Sequence, residues 1–194
     1  MNDKDHAKAL SADAAIARLQ VGNGAYLRSK RNVGDVSLQL RKRLASEGQH
    51  PYAVVVACSD SRVVPEHLFS AGLGQLFTIR VAGNVVDATQ EASVAYAVSH
   101  LGVKLVLVLG HTGCGAVDAV LEGGSYGKVS AVTDLIHAAV GDEHDERTAC
   151  ILNVAAGVNR LRGDAELAAL AEREGVRIEG ALCHIDTGEV EWLW

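Results

Sequence analysis

The sequence has 194 residues, of which 48% are apolar and 22% are charged, a balance that supports an ordinary hydrophobic core and excludes an intrinsically disordered chain. A formal net charge of −6 disfavours general binding to nucleic acids or anionic membranes. No run of 18 apolar residues is present, so we expect neither a membrane span nor a membrane partner. The polar residues 1–6 lack the form of a secretion signal, so we expect a cytoplasmic protein whose four cysteines are free thiols or metal ligands.

The predicted elements alternate between amphipathic helices and short apolar strands. In chain order, we predict helices over residues 11–29, 36–48, 87–101, 113–121, 131–140, 148–162 and 164–174, strands over 53–57, 76–81 and 103–109, and a terminal hairpin over 176–185 and 189–194. The runs at 53–57 and 103–109 are apolar throughout, which is typical of parallel strands buried on both faces.

This alternation predicts an α/β fold with a mainly parallel central β-sheet flanked by helices, an N-terminal helical arm and a C-terminal β-hairpin. No linker divides the sequence, so we expect one domain over residues 1–194, with the arm at about residues 1–35. In such sheets, functional residues gather where the carboxyl ends of strands lead into loops.

Two loops with unusual residues follow the predicted buried strands. Cys58 lies directly after the first of them, and His111 and Cys114 lie three residues apart after the strand over 103–109. If those strands are neighbours, the three side chains come together. Two thiolates and an imidazole form a set of donor atoms that binds zinc in preference to magnesium or calcium. The fourth position is then either Asp60, which would close the site, or water, which would make it catalytic.

Other interpretations of these residues are possible. A buried cysteine is usually a small apolar side chain, and this is our interpretation of Cys150 and Cys183, which have no partner at ligand spacing. Asp60 and Arg62 could form an ordinary exposed ion pair, although beside a metal Arg62 could hold the carboxylate away from the ion. The glycine-rich residues 110–115 could suggest a phosphate site, but they lack the Lys-Ser/Thr of a P-loop.

The two loops resemble the paired signatures of β-class carbonic anhydrases. Cys-Ser-Asp-Ser-Arg stands at residues 58–62 and Gly-His-x-x-Cys-Gly at residues 110–115, in the family's order. The intervening stretches Gly-Gln-Leu-Phe at 74–77, Arg-Val-Ala-Gly-Asn at 80–84 and Tyr-Ala-Val at 96–98 also match. The resemblance extends from about residue 11 to the end of the sequence.

The resemblance implies a role for several residues. One zinc ion per chain would be bound by Cys58, His111 and Cys114, and Asp60 and Arg62 would be the catalytic pair that controls the fourth ligand. Gln49, Phe77 and Tyr96 would bind substrate, the two aromatic residues reaching a neighbouring subunit's pocket. The family therefore implies a homodimer or homotetramer, in which the N-terminal arm packs across a partner.

Two positions bear on the subtype. The bacterial subtype that bicarbonate regulates has a tryptophan three residues before the first cysteine, where this sequence has Val55, although Arg80 matches that subtype's anion-contacting arginine. We therefore expect the plant-like subtype. Ala95 stands where the family often has a glutamate, so any hydrogen bond from that glutamate is lost or replaced.

The implied function is reversible hydration of carbon dioxide to bicarbonate and a proton by zinc-bound hydroxide. Two alternatives stay open. A related zinc hydrolase could use the same residues on carbon disulfide or carbonyl sulfide, and a non-catalytic zinc or redox-sensing domain could have its metal closed off by Asp60.

Overall fold

A computed structural model describes residues 9–124 and 127–194, so the first eight residues of the predicted arm lie outside the described chain. Five strands form one sheet: β1 (Ala53–Cys58), β2 (Leu76–Val81), β3 (Leu105–His111), β4 (Arg177–Cys183) and β5 (Val190–Trp192). Their order is β2-β1-β3-β4-β5, with β1 to β4 parallel and β5 antiparallel to β4. The predicted α/β fold, mainly parallel sheet and terminal hairpin are confirmed.

Eight α-helices accompany the sheet in the described chain: α1 (Ala12–Ser29), α2 (Leu38–Glu47), α3 (Pro65–Leu68), α4 (Ala88–Leu101), α5 (Gly115–Leu121), α6 (Ser130–Val140), α7 (Glu146–Gly163) and α8 (Ala165–Glu174). None of the helices in the described ranges is long and apolar enough to cross a membrane.

The central strands are buried on both faces, as their uninterrupted apolar sequences predict. Every residue of β1 and β3 is buried. Alternate residues point to opposite faces, so that Val55 and Leu107 pack with residues of α1 and α3, whereas Val54 and Val106 pack with residues of α4, α7 and α8. The sheet is thus the middle layer between two sets of helices.

The arm helix α1 packs on its own sheet. Ala15 and Leu19 are fully buried in the core cluster that contains Val55 and Leu107. The expected packing of this apolar face across a partner is therefore wrong for these two residues, because β1 and β3 of the same chain already cover them.

Asn23 joins three distant parts of the fold. Its buried amide Nδ2 donates to the carbonyl oxygens of Leu68 (3.0 Å) and Gly188 (2.9 Å), and its Oδ1 accepts from the backbone N–H of Val190 (3.1 Å). The amide thereby fastens α1 to α3 and to the terminal hairpin.

Among the predicted elements whose bounds differ from the observed ones, α2 and β3 differ for reasons that the structure shows. Ser37 caps α2 by accepting a hydrogen bond from Leu40 N (3.2 Å), so the helix begins at Leu38 and Val36 stays 63% exposed ahead of it. Strand β3 begins and ends two residues later than predicted, because its pairing with β4 runs from Leu105 to His111. His111 is therefore the last residue of a strand and not part of the following loop.

Candidate metal centre

Cys58, His111 and Cys114 meet at the carboxyl edge of the sheet. Cys58 ends β1, His111 ends the adjacent β3, and Cys114 immediately precedes α5. One potential ligand atom from each residue lies within 4.8 Å of the other two, and all three residues are buried. The structure thus brings together the three residues that the sequence predicts as ligands.

The imidazole of His111 is oriented for a ligand. The Nδ1–H donates to the carbonyl oxygen of Thr112 (2.9 Å), which leaves the lone pair on Nε2. Nε2 is buried and has no hydrogen-bond partner within the described residues. Buried polar atoms are nearly always satisfied, so this atom fits a metal ion held on its open side.

The Cys58 sulfur lies among hydrogen-bond donors. A hydrogen bond from the Cys114 thiol lowers the pKa of Cys58, against an opposing effect of burial, and the backbone N–H groups of Asp60 (3.4 Å) and Gly83 (3.2 Å) add to the lowering. Because the Cys114 thiol donates this hydrogen bond to Cys58, the pKa of Cys114 is raised. A thiolate with a neighbouring thiol and imidazole is a donor set that suits zinc.

The Asp60 carboxylate is bound to Arg62. Arg62 Nε donates to Oδ1 (3.0 Å) and Nη2 to Oδ2 (2.7 Å), and the backbone N–H of Arg62 also reaches Oδ1 (2.9 Å). The hydrogen bonds from the Arg62 side chain lower the pKa of Asp60 to about 2. Asp60 is therefore an ionised group beside the ligands and is not one of the three clustered ligand residues.

Arg80 secures the loop that carries Cys58 and Asp60. Its Nε donates to the carbonyl of Cys58 (3.0 Å), and its Nη2 donates to the carbonyls of Asp60 (2.7 Å) and Val63 (3.0 Å). The side chain thus binds main-chain oxygens on both sides of Asp60.

Thr112 and Gly113, which separate the second and third ligands, are held from three directions. Thr112 N donates to Cys183 O (3.0 Å), and Thr112 Oγ1 accepts from Ile185 N (3.1 Å). Gly113 N donates to Glu146 Oε1 (2.7 Å), and Gly113 O accepts from Arg62 Nη2 (3.1 Å).

Two of the supporting residues were not predicted from the sequence. Glu146 and Asn153 both belong to α7, and Asn153 Nδ2 donates to Gly83 O (2.7 Å), next to the N–H that binds Cys58. A buried amide within an otherwise apolar helical stretch was a usable signal for Asn153. For Glu146, the sequence offered no signal beyond its position near the start of a predicted helix.

The predicted substrate residues lie apart from the three ligands in this chain. Gln49 is exposed in the segment before β1. Phe77 is half-buried on β2 beside Tyr96 of α4, with ring centroids 6.2 Å apart, and Tyr96 is 48% exposed and stacks on His100. The sulfurs of Cys150 and Cys183 are also outside the ligand cluster, and all four cysteines are free.

A family model described as carbonic anhydrase matches residues 53–190, which include the whole sheet up to the start of β5 and all three clustered ligands. The chain belongs to the carbonic anhydrase family. The carbonic anhydrase of Pseudomonas aeruginosa is 35% identical over 186 residues, covering 87% of this chain and 84% of that protein. Carbonic anhydrase 2 of Mycobacterium tuberculosis is 44% identical over 108 residues, covering 56% of this chain. That alignment spans only about half of the mycobacterial protein, 52% of its length.

Solved structures narrow the family to its β class. A β-carbonic anhydrase of Sordaria macrospora, described as tetrameric, matches with a TM-score of 0.72 and 25% identity, covering 92% of this chain and 94% of that one. The Coccomyxa β-carbonic anhydrase in complex with acetazolamide matches with a TM-score of 0.66 and 26% identity, covering 80% and 84%. The chain therefore belongs to the β class of the carbonic anhydrase family.

Proposed function

We propose that this carbonic anhydrase homologue catalyses the reversible hydration of carbon dioxide to bicarbonate and a proton. The observation that carries the proposal is the pairing of Asp60 with Arg62 beside three buried potential ligands. A metal closed by Asp60 would need that carboxylate among its ligands, so the pairing disfavours a closed, purely structural zinc site.

Cys58, His111 and Cys114 would hold one zinc ion per chain. When bound, zinc supplies a Lewis acid that lowers the pKa of coordinated water towards neutrality. The chain contributes the orientation of its donors: Thr112 O fixes the His111 tautomer, and the Gly83 N–H holds the Cys58 sulfur. Two thiolates would cancel the charge of the ion. The Gly83 N–H contact, by withdrawing negative charge from the Cys58 sulfur, would therefore also adjust the pKa of coordinated water.

Asp60 would orient the nucleophile. Its carboxylate is ionised because hydrogen bonds from Arg62 hold its pKa at about 2, so at neutral pH its oxygens accept hydrogen bonds and do not donate them. An acceptor fixed by two side-chain bonds can align an attacking O–H group toward the carbon of the substrate. Arg62 then acts by keeping the carboxylate in place.

The substrate side would be completed by Gln49, Phe77 and Tyr96 in a homodimer or homotetramer. Phe77 and Tyr96 form an aromatic surface with an exposed ring, which suits uncharged carbon dioxide when a second subunit covers it. The tetrameric Sordaria homologue supports assembly. Sedimentation velocity should give a species larger than the monomer, and a fully active monomer would contradict this part of the proposal.

The thiolate ligands also favour a reducing compartment such as the cytoplasm, because oxidation of Cys58 or Cys114 would remove zinc donors.

Stopped-flow measurement of carbon dioxide hydration tests the function. Zinc-loaded protein should hydrate carbon dioxide faster at alkaline than at neutral pH. Inactivity of fully zinc-loaded protein across that range would refute the proposal. Turnover of carbon disulfide or carbonyl sulfide by such a protein would instead identify the related hydrolase, and inactivity on all three substrates would indicate a non-catalytic zinc domain.

A further inference from the structure

Glu146 contacts the site without belonging to its ligand set or to the Asp60 and Arg62 pair. It is the first residue of α7, and its Oε1 accepts hydrogen bonds from Gly113 N (2.7 Å) and from the thiol of Cys150 (3.2 Å). Burial raises the pKa of Cys150, so this thiol stays protonated and donates. The carboxylate is thereby held between its own helix and the loop that joins two zinc ligands.

Gly113 connects Glu146 to the catalytic pair. While its N–H donates to Glu146, its carbonyl oxygen accepts from Arg62 Nη2 (3.1 Å), the same nitrogen that donates to Asp60 Oδ2 (2.7 Å). Gly113 has φ +64°, a backbone conformation that an L side chain adopts only with strain. Because glycine also populates many other backbone conformations, the conformation of Gly113 depends on the contacts that fix it, and two of these come from charged side chains, Glu146 and Arg62.

We propose that Glu146 is a positioning residue, which acts on Asp60 through Gly113 and Arg62. By fixing the Gly113 N–H, it directs the Gly113 carbonyl at Arg62, and this contact keeps Arg62 in the orientation that binds both Asp60 oxygens. Only the kinetic part of this inference rests on the proposed hydration activity. The series of hydrogen bonds from Glu146 through Gly113 and Arg62 to Asp60 does not depend on that activity.

Replacement of Glu146 should leave the fold intact. The first turn of α7 is capped by Asp145, whose Oδ1 accepts from Thr148 N (2.8 Å) and from Thr148 Oγ1 (2.6 Å). The cap does not use Glu146. In Glu146→Gln, an amide oxygen can still accept from Gly113, whereas Glu146→Ala removes the acceptor. Glu166→Ala is the matched control, because Glu166 is an exposed carboxylate in the first turn of α8.

The structural test is nuclear magnetic resonance on the full zinc-loaded chain. In Glu146→Ala, the Gly113 N–H and the Arg62 Nε–H should shift and exchange faster with water than in wild type. Glu146→Gln and Glu166→Ala should keep both signals close to wild type. An unchanged Arg62 signal in Glu146→Ala would overturn the proposal, because it would show that Glu146 does not act on Arg62. This readout decides the inference even if wild-type protein fails to hydrate carbon dioxide.

The kinetic test is a double-mutant cycle. Glu146→Ala should lower kcat/KM about tenfold, the effect of one charge-assisted hydrogen bond, and Glu146→Gln should restore most of it. In an Arg62→Ala background, Glu146→Ala should cost almost nothing further, because its effect passes through Arg62. The same tenfold loss in both backgrounds would overturn the proposed route.

Discussion

Replacing Arg80 by alanine separates two roles for this side chain, support of the metal-binding loop and binding of a regulatory anion. In the structure, Arg80 donates three hydrogen bonds, two of them to carbonyls of the buried residues Cys58 and Val63. We therefore expect Arg80→Ala to destabilise the folded protein and to weaken zinc retention. The rate should not depend sigmoidally on bicarbonate, in the wild type or in the variant.

The size of the effect follows from the lost bonds. Leaving a buried carbonyl unsatisfied costs about 1–3 kcal/mol, and the two carbonyls are only partly shielded from water, so about 1 kcal/mol each is appropriate. The free energy of unfolding should therefore fall by about 2 kcal/mol. For a domain of this size, this corresponds to a Tm lower by about 4–8 °C.

Thermal unfolding and zinc analysis after dialysis against a chelator are the assays. Arg43→Ala is the matched control, since the Arg43 side chain is 63% exposed and its ion pair with Glu47 is long, at 3.6 Å between Nε and Oε2. It should change the Tm by much less. If Arg80→Ala keeps wild-type stability and zinc, and removes a sigmoidal dependence of the wild-type rate on bicarbonate, our assignment of Arg80 to loop support is refuted.

Three further predictions concern the ligands, the catalytic pair and an ion pair away from the site. Cys114→Ser should lose zinc and activity, whereas Cys183→Ser should keep about one equivalent of zinc; tight zinc in Cys114→Ser by elemental analysis would contradict the ligand assignment. Arg62→Ala should lower kcat/KM at least ~100-fold at unchanged zinc content, because Asp60 loses the partner that holds it; near-normal stopped-flow rates from pH 7 to 9 would contradict this. The hydrogen bond from Lys104 holds the pKa of Glu174 below its ordinary value of 4.5, so its stabilising effect is present above that value and is lost as the pH falls. Glu174→Gln should therefore lower the free energy of unfolding by up to about 1 kcal/mol at pH 7 and by progressively less as the pH falls below 4.5, as measured by urea unfolding.

The parts of the molecule that were predictable from sequence are those encoded by contiguous residues. The apolar runs of β1 and β3 can be buried only inside a sheet, so they give the core directly. Cys58, His111 and Cys114 follow the ends of those runs closely, so their meeting depends only on β1 and β3 being neighbours.

The surroundings of the ligands were less predictable, because they depend on packing between distant segments. Glu146 is 33 residues from Gly113, and Asn153 is 70 residues from Gly83. No local spacing rule relates such pairs. Arg80 was recognisable as a residue of interest, but only its three carbonyl partners indicate that it supports the loop.

The three hydrogen bonds of Asn23 bear on the order in which a growing chain completes this site. Two of them join Asn23 to Gly188 and Val190, which lie 165 and 167 positions later, so they form only after residues 188–190 have been synthesised. The same hairpin region supplies Ile185 N to the Thr112 hydroxyl. All three ligands are therefore synthesised well before the segment that braces the loop between them. We therefore expect full order in the candidate metal centre to be a late event of folding, reached when the hairpin docks against the first helix.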